Sequence, residues 1–400
     1  MMSFELLQDL SVVTPSKIVL LVLDGLGGLP VEGKTALEAA QTPHLDRLAK
    51  EACCGLTDPV GMGITPGSGP AHLALFGYDP TIYVLGRGIL EALGVGVEVG
   101  KDDLVARGNF ATLQDGKIID RRAGRIPTAE NERLCGKINA FLKNRPGPEI
   151  MVFPGKEHRF VVKFSGKGLS DALTDADPQK APLPPAPARP LNDGARETAA
   201  MVNAFIQDVT EFLKGSSPAN TLLLRGFSKH PSLPSIEALY KLKPAALAAY
   251  PMYRGLARLV GMDVLDVGSR PEHLFERLEE AYDRYTFFYV HLKSMDRAGE
   301  DGDFAAKVEA IEQADSLIPR VTALSPDVFV VTSDHSTPCP LKSHSWHPNP
   351  FLLHAPTAMP DSVERFTERA CSHGFLGRFP ALHAMALMMA HAGKLKKYGA

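Results

Sequence analysis

The chain has 400 residues, of which 44% are hydrophobic and 22% are charged, and its formal net charge is -3. This length accommodates one large core or two domains, at roughly 100–200 residues per domain. The near-neutral charge argues against a nucleic-acid-binding face, because phosphate neutralisation needs clustered Lys and Arg. The apolar run at 18–23 is far shorter than the ~20 residues that span a bilayer, so neither a membrane span nor a signal peptide is expected. Five cysteines without CxxC spacing favour reduced thiols and a cytoplasmic protein.

The first predicted elements are a buried strand and an amphipathic helix. Residues 17–23 (KIVLLVL) form a continuous, β-rich apolar run, which is typical of a strand covered on both faces. Thr42 and Pro43 then predict a helix start, with a hydroxyl cap and a proline in the first turn. The opening segment therefore predicts a strand, a loop and a helix.

Residues 85–182 have a different character and predict a smaller inserted domain. Short alternating stretches such as RGNFATL and HRFVVKFSG are separated by Gly and Asp, which suggests antiparallel strands. A proline-rich segment at 178–190 follows, with six prolines in thirteen residues. Its backbone is poor in amide donors and favours an extended connection between domains, although an ordered surface loop fits equally well.

From about residue 190 the pattern alternates between helices and strands again. A helix pattern (ARETAAMVNAFIQDVTEFLKG) precedes the strand NTLLLRG, and later strands include TFFYVHL, DVFVVT and NPFLLHA. Such alternation predicts a mostly parallel sheet flanked by helices. The predicted fold class is therefore α/β, with a discontinuous core formed by residues 1–84 and 190–400 and an α+β insertion at 85–182.

Three of the predicted strands are followed by acidic residues. These are Asp24, Asp296 and Asp334, the last of which is followed by His335. In an open parallel sheet the carboxyl ends of the strands face one crevice, where ligands bind. A single Asp at such a place is usually a turn former or a helix cap, but converging carboxylates repel one another unless a cation neutralises them. The pattern therefore indicates a metal site.

Histidines near the last of these strand ends are further candidate ligands. His344 and His347 stand in a proline-punctuated loop that can fold back towards His335. A loop histidine held by hydrogen bonds is at least as common as a metal ligand. Mixed Asp and His ligation suits Zn²⁺ or Mn²⁺ better than Ca²⁺.

The candidate nucleophile is Ser68, in ITPGSGPAHLALFGYDP. Glycines flank it, and an apolar helix pattern starts at Ala71. A hydroxyl at a helix start is most often an N-cap. The same position offers free amides and the positive end of a helix dipole to an anion, and beside a divalent metal a serine hydroxyl can ionise and attack phosphorus.

Residues 28–35 (GLPVEGKT) match the G-x-x-x-x-G-K-[ST] spacing of a nucleotide-binding P-loop. The physical chemistry argues against that function, because Pro30 removes one amide from the phosphate cradle and Glu32 places a carboxylate inside it. An ordinary loop is the preferred interpretation, and no nucleotide cofactor is expected.

These residues lie in long, ordered sequence blocks that extend over nearly the whole chain. The blocks include VLDGLGGLP, TALEAAQTPHLDRLAKEA, GRGILEALGVGV, ARGNFATLQDGKIIDRRAGRI, EHRFVVKFSG, LTDADP and DHSTPCPLKSHSWHPNPFLL. In them the chain resembles the archaeal-type, 2,3-bisphosphoglycerate-independent phosphoglycerate mutases of the alkaline phosphatase superfamily. The resemblance implies an alkaline-phosphatase-like core and two divalent metal ions (Mn²⁺, Mg²⁺ or Zn²⁺). It also implies interconversion of 3-phosphoglycerate and 2-phosphoglycerate through a phosphoserine.

The resemblance also implies roles for individual residues. The first metal ion would be held by Asp24, Ser68, Asp334 and His335. The second would be held by Asp296 and His344, with Glu300 as a further candidate ligand. Ser68 would accept the phosphoryl group, Asp175 would act as acid and base, and the inserted domain would cover the substrate. The implied substrate contacts are His158, Arg159, Arg225 and Arg254.

The chain departs from the family pattern at two positions. Where the family usually reads D-x-x-G-H-D-G-D, residues 296–303 read DRAGEDGD, so Glu300 stands in place of a histidine. A carboxylate ligand there favours harder ions such as Mg²⁺ or Mn²⁺, or else Glu300 points away and the second metal site is weaker. Gly69 replaces the acidic residue that usually follows the nucleophile.

These departures leave other functions open beside the mutase. One is a divergent phosphotransferase or phosphatase on the same scaffold, for example one resembling homoserine kinases, and another is a binding protein without activity. The expected partner is a phosphorylated small molecule, with neither nucleic acid nor a membrane involved. The chain could also form a homo-oligomer.

Overall fold

The computed structural model describes residues 4–143, 147–268 and 270–399. The strands are β1 (Ile18–Leu23), β2 (Cys53–Asp58), β3 (Asp103–Gln114), β4 (Lys117–Asp120), β5 (Glu149–Pro154), β6 (Arg159–Ser165), β7 (Thr221–Lys229), β8 (Pro244–Ala248), β9 (Asp263–Val264), β10 (Phe287–Leu292), β11 (Val328–Thr332), β12 (Asn349–His354) and β13 (Gly377–Pro380). The α-helices are α1 (Phe4–Leu10), α2 (Ala36–Ala39), α3 (Pro43–Lys50), α4 (Ser68–Leu75), α5 (Arg87–Gly94), α6 (Thr128–Leu142), α7 (Arg196–Phe212), α8 (Ile236–Tyr240), α9 (Pro251–Leu259), α10 (Pro271–Ala281), α11 (Ser294–Asp301), α12 (Phe304–Ala323), α13 (Glu368–Cys371) and α14 (Ala384–His391).

The chain forms two compact units. The second unit is Leu85–Ser232, and the first unit consists of the described residues on either side of it. Each unit has its own sheet and its own apolar core.

The first unit is built on an eight-stranded sheet with the order β13-β2-β12-β11-β1-β10-β8-β9. Most neighbouring pairs are parallel, whereas β12 runs antiparallel to both β11 and β2. All six residues of β1 are fully buried, as expected for a central strand covered on both faces. The predicted α/β fold with a mostly parallel sheet is confirmed.

The start of α3 differs in detail from the prediction. The helix begins at Pro43, but the Thr42 side chain makes no capping hydrogen bond. Instead the amides of His44 and Leu45 donate to the carboxylate of Asp315 at 3.2 and 2.7 Å. The buried Asp315 carboxylate of α12 therefore accepts the hydrogen bonds for which the sequence suggested the Thr42 hydroxyl as the acceptor.

The second unit is an antiparallel sheet covered by helices. Strand β3 pairs with β4, β6 and β7, and β5 pairs with β6. Its core includes Phe110 and Phe160 from the sheet and Leu134 and Ile138 from α6.

The placement of residues 190–232 in the first unit was wrong. Strand β7 pairs antiparallel with β3 from Leu104↔Lys229 to Ala111↔Thr221, and α7 adds Val202 and Phe205 to the core of the second unit. The proline-rich segment at 178–190 therefore lies within this unit and does not connect the two units. Its Ala188 backbone exchanges two hydrogen bonds of 2.9 Å with the Asn203 side chain.

Among the described residues, no helix has both the length and the apolar character needed to cross a bilayer.

Candidate metal centre and nucleophile

The candidate site lies at the carboxyl ends of three neighbouring strands of the first unit. Strand β1 lies between β10 and β11 and runs parallel to both. Asp24 directly follows β1, Asp334 and His335 follow β11, and Asp296 lies in the first turn of α11, just after β10. All four residues are at most 1% exposed. The convergence of these side chains is thus a direct result of the strand order.

Asp24, Asp334 and His335 form the first cluster of candidate metal ligands. His335 Nε2 lies 3.3 Å from Asp24 Oδ1 and 3.1 Å from Asp334 Oδ2. Ser68 Oγ lies 3.2 Å from the same nitrogen. Within the described part of the chain, Asp24 Oδ1 and Asp334 Oδ2 are buried without a hydrogen-bond donor.

The hydrogen bonds of His335 leave its Nε2 lone pair facing this cluster. The Thr337 hydroxyl donates to Asp296 Oδ1 at 2.6 Å, so it can only accept at the 3.1 Å contact with His335 Nδ1. Nδ1 is therefore the protonated nitrogen, and Nε2 is an electron-pair donor. A set made of two carboxylate oxygens, a hydroxyl and an imidazole lone pair fits a divalent cation, because the hydroxyl proton can satisfy the imidazole but leaves both carboxylate oxygens without a donor.

Ser68 is positioned by the start of α4. The N-cap of this helix is Gly67, and Ser68 is its first residue, so the serine hydroxyl is not the capping group. The hydroxyl instead points to His335, and the Ser68 carbonyl accepts a 2.8 Å hydrogen bond from His72 Nδ1. The interpretation of Ser68 as an ordinary cap is therefore excluded by the geometry.

Asp296, His335 and His344 form the second cluster. His344 Nε2 lies 3.6 Å from Asp296 Oδ1, and the rings of His335 and His344 stack with centroids 3.6 Å apart. His344 Nδ1 donates to the Pro66 carbonyl at 3.0 Å, which leaves Nε2 free to bind a cation.

Glu300 lies at the edge of the second cluster. It is one helical turn after Asp296 on α11, so both side chains lie on the same face of the helix. Glu300 Oε1 is 3.9 Å from His344 Nε2, and the side chain is 54% exposed. Glu300 is therefore within reach of this cluster but outside the compact group of three ligand atoms.

Burial and mutual repulsion perturb the charged groups of the site. Burial, together with the charges of Asp24 and Asp296, raises the pKa of Asp334 well above its ordinary value. Burial opposes ionisation of Asp24 too, but nearby His291, His335 and Lys293 outweigh it and lower its pKa. Burial lowers the pKa of His335 to about 4, so its imidazole is neutral near pH 7. A cation would relieve the repulsion between the carboxylates.

Several residues around Asp24 were missed by the sequence analysis. Tyr253 on α9 donates a 2.5 Å hydrogen bond to Asp24 Oδ2, and His291 Nε2 and Lys293 Nζ each lie 3.2 Å from the same oxygen. Lys293 also pairs with Asp296. Lys293 directly follows β10, so the strand-end reasoning that selected the aspartates could have selected it as well. Tyr253 carries no such signal.

The remaining predicted site residues of the second unit lie on or near its sheet. Asp175 accepts a 2.8 Å hydrogen bond from the Gly226 amide, and its Oδ2 lies 3.5 Å from Arg225 Nε. Arg159 is exposed at the start of β6, and neighbouring His158 is buried. Burial and the charge of Arg159 lower the pKa of His158 to about 4.

A further arginine joins this group on the sheet. Arg107 of β3 is paired with Arg225 of β7, and Asn109, two residues further on, is paired with Arg159 of β6. Because side chains alternate along a strand, these positions face away from Phe110, which lies in the core. Arg107 was not predicted, although RGNFATL was recognised as a strand.

Arg254 lies in the first unit, next to Tyr253 on α9. Its Nη1 is 3.7 Å from Asp266 Oδ1, and its side chain is 25% exposed. Arg254 directly follows Tyr253, whose hydroxyl donates to Asp24, so the same helix carries both residues.

The segment at 28–35 has its polar groups engaged within the fold. The Gly28 amide donates to the Glu368 carboxylate at 3.0 Å, and the Thr35 hydroxyl donates to the same carboxylate at 2.8 Å. Thr35 also forms a capping box with Glu38 at the start of α2. A helix cap and a buried carboxylate thus occupy the groups that a P-loop would offer to phosphate.

Comparisons with known proteins agree with the resemblance described above. The family model of the 2,3-bisphosphoglycerate-independent phosphoglycerate mutase matches residues 49–220. A probable enzyme of this type from Thermus thermophilus is 52% identical, and the alignment covers 99% of each chain. One from Thermotoga maritima is also 52% identical, with 96% of each chain covered.

Solved structures show the same relationship. A Pyrococcus horikoshii protein is 30% identical with a TM-score of 0.82, and the match covers 97% of this chain and 100% of the other. The cofactor-independent phosphoglycerate mutase from Thermoplasma acidophilum is 33% identical with a TM-score of 0.77, covering 94% and 100%. The chain therefore belongs to the family of 2,3-bisphosphoglycerate-independent phosphoglycerate mutases.

Proposed function

We propose that the protein interconverts 3-phosphoglycerate and 2-phosphoglycerate in a metal-dependent reaction through a phosphoserine at Ser68. The observation that carries this proposal is the position of the Ser68 hydroxyl, 3.2 Å from His335 Nε2 and beside two buried aspartates. The mutase names of the relatives support the substrate pair. The phosphoryl group comes from the substrate itself, so the reaction needs no nucleotide.

Two divalent metal ions are part of the proposal, with Mn²⁺, Mg²⁺ and Zn²⁺ as candidates. The residues that would hold the first ion are Asp24, Ser68, Asp334 and His335. Those for the second ion are Asp296 and His344, with Glu300 within reach. Such ions favour the alkoxide form of a serine hydroxyl and neutralise the charge on a phosphoryl group.

The chemistry assigned to the protein's own residues is two successive phosphoryl transfers. The Ser68 alkoxide attacks phosphorus of 3-phosphoglycerate, forming the Oγ–P bond while the bond from phosphorus to the C3 oxygen breaks. The C3 oxygen takes a proton from Asp175. After the glycerate has turned, its C2 hydroxyl returns a proton to Asp175 and attacks the phosphoserine. The Oγ–P bond breaks, which releases 2-phosphoglycerate and restores Ser68.

Arginines and a histidine are the proposed substrate contacts. The planar guanidinium groups of Arg159, Arg225 and Arg254 suit the carboxylate and phosphate of phosphoglycerate, because they can bind oxyanions through two hydrogen bonds. His158 is neutral near pH 7 because burial lowers its pKa to about 4, so it would act as a hydrogen-bonding group. We also predict that the inserted residues 85–182 cover the substrate.

Ser68→Ala tests the nucleophile. We expect mutase activity in an enolase-coupled assay to fall by at least about 10⁴-fold, because no other hydroxyl takes over the attack. Incubation with radiolabelled 3-phosphoglycerate should label the wild type and leave the variant unlabelled. Ser235→Ala is the matched control, since Ser235 also stands at a helix start but only caps α8. Full activity of Ser68→Ala would contradict the proposal.

Two further assays, of inorganic phosphate release and of homoserine phosphorylation, separate the mutase from the related activities. Glu300 and Gly69 are the two positions at which the family pattern is altered. Release of inorganic phosphate without 2-phosphoglycerate would indicate a phosphatase, and phosphorylation of homoserine by ATP would indicate a kinase.

A cytoplasmic location is also proposed. It is supported by the five cysteines, all of which are free and buried.

A further inference from the structure

Lys307 on α12 is a buried lysine that the proposed reaction does not use. The residue is fully buried. Its Nζ donates to three main-chain carbonyls, those of Gly25 at 2.8 Å, Gly27 at 3.0 Å and Thr337 at 2.8 Å. These acceptors use all three protons of the ammonium group.

The three carbonyls belong to the two loops that carry the first cluster. Gly25 and Gly27 follow Asp24 in the loop after β1, and Thr337 follows Asp334 and His335 in the loop after β11. The Thr337 hydroxyl in turn contacts Asp296 Oδ1 and His335 Nδ1. One ammonium group therefore connects two strand ends to each other, and through Thr337 it also connects to the second cluster.

The positive charge of Lys307 faces the dipoles of three carbonyl groups. In the described residues no ion pair joins Lys307 to a carboxylate, whereas Lys293 pairs directly with Asp24 and Asp296. Burying an ammonium group is costly unless its hydrogen bonds are satisfied, and the three carbonyls satisfy those of Lys307. The burial lowers the pKa of Lys307 to about 8, so it remains protonated near pH 7.

We propose that Lys307 is a positioning residue of the metal centre, whose ammonium group holds the loops after β1 and β11 so that Asp24, Asp334 and His335 converge before a metal ion binds. This inference rests on the proposed metal dependence. In many metal sites, hydrogen bonds from neighbouring groups hold the ligands in position, and losing one weakens metal binding about 10- to 100-fold. The buried ammonium group of Lys307 would have the same effect on the loops that carry the ligands.

Lys307→Met tests the proposal, because methionine has a similar length but neither charge nor donors. The matched control is Lys394→Met: Lys394 is also buried, and its Nζ donates to the carbonyl and hydroxyl of Thr14 at 2.7 and 2.9 Å. Mn²⁺ affinity is measured from the electron paramagnetic resonance signal of free Mn²⁺, and circular dichroism reports folding. We expect Lys307→Met to bind Mn²⁺ about 10- to 100-fold more weakly and Lys394→Met to bind like the wild type.

Two further variants cover the case in which Lys307→Met does not fold. Lys307→Gln keeps two N–H donors without the charge and should show an intermediate affinity, and Lys307→Arg keeps the charge and should recover most of the binding. Folded Lys307→Met or Lys307→Gln with wild-type Mn²⁺ affinity would overturn the inference. If the wild type does not bind Mn²⁺, the comparison is repeated with Zn²⁺ and Mg²⁺. If the wild type binds none of the three ions, the proposed metal dependence fails, and the inference fails with it.

Discussion

Gly25 offers a sharp test of how closely the metal ligands are packed. It follows Asp24 and has a φ of +66°, a conformation in which an L side chain is strained. A Cβ added there would lie 2.7 Å from both Cα and Cβ of Asp296 and 2.7 Å from Thr337 Oγ1. Gly25→Ala therefore forces the β1 end away from a candidate ligand of the second cluster.

The size of the effect follows from these distances. Carbon atoms prefer separations of about 3.5–4.0 Å, so the Asp296 backbone has to move by roughly 1 Å. A misplacement of about 1 Å at a catalytic centre can cost about 100-fold in rate. The left-handed backbone adds about 1–2 kcal/mol and the overpacking about 1–3 kcal/mol to the loss of folding stability.

Gly33→Ala is the matched control. Gly33 also has a positive φ, +90°, but an added Cβ would meet nothing within 4 Å. The control therefore includes the backbone strain without the clash, and we expect it to lose about 1–2 kcal/mol of stability while keeping its activity. The measurements are the enolase-coupled mutase rate, Mn²⁺ affinity and denaturant unfolding. If Gly25→Ala is as active as Gly33→Ala, the loop after β1 is not packed tightly enough against Asp296 to fix the position of that side chain.

Two more predictions concern the ligands themselves. Burial and the charges of Asp24 and Asp296 raise the pKa of Asp334, so a metal ion competes there with a proton, and Mn²⁺ affinity should fall as the pH is lowered, by at most about tenfold per pH unit. Protonation of His335, whose pKa is about 4, should weaken Mn²⁺ binding further only near pH 4. An Mn²⁺ affinity that does not change with pH would contradict Asp334 as a metal ligand. Glu300→His should raise the Zn²⁺ affinity of the second cluster relative to Mn²⁺ by about tenfold, because imidazole suits Zn²⁺ and carboxylate suits Mn²⁺. Zn²⁺ and Mn²⁺ titrations of this variant measure the effect, and Glu309→His, on an exposed face of α12, is the control. An unchanged ratio of Zn²⁺ to Mn²⁺ affinity in Glu300→His would show that Glu300 is not a ligand.

The cluster of candidate metal ligands could be anticipated from the sequence because it depends on a simple topological rule. Apolar runs that end in Asp24 and in Asp334 followed by His335 predict parallel strands whose carboxyl ends converge, and the strand order of the first unit brings them together. The stacking of His335 on His344 depends on the path of one loop, which spacing alone only suggests.

The supporting residues could not be anticipated, because they come from elements with no local signal. Tyr253 and Lys307 occupy ordinary positions of amphipathic helices, and only the packing of α9 and α12 against the strand ends gives them their partners. The boundary error has a similar cause. The α7 and β7 segments have the same alternation as the first unit, and only antiparallel pairing with β3 assigns them to the second.

The order of the candidate ligands along the chain determines when their cluster can form during synthesis. Strand β1, which carries Asp24, pairs with β10 and β11, so it lacks its sheet neighbours until Leu292 and Thr332 have been made. The second unit, Leu85–Ser232, is contiguous and pairs its strands internally, so its contacts are complete much earlier. We therefore expect the second unit to fold on the ribosome before the first unit, whose sheet needs strands from both sides of the insertion. A nascent chain that stops before His344 would lack a candidate ligand and could not assemble the complete centre.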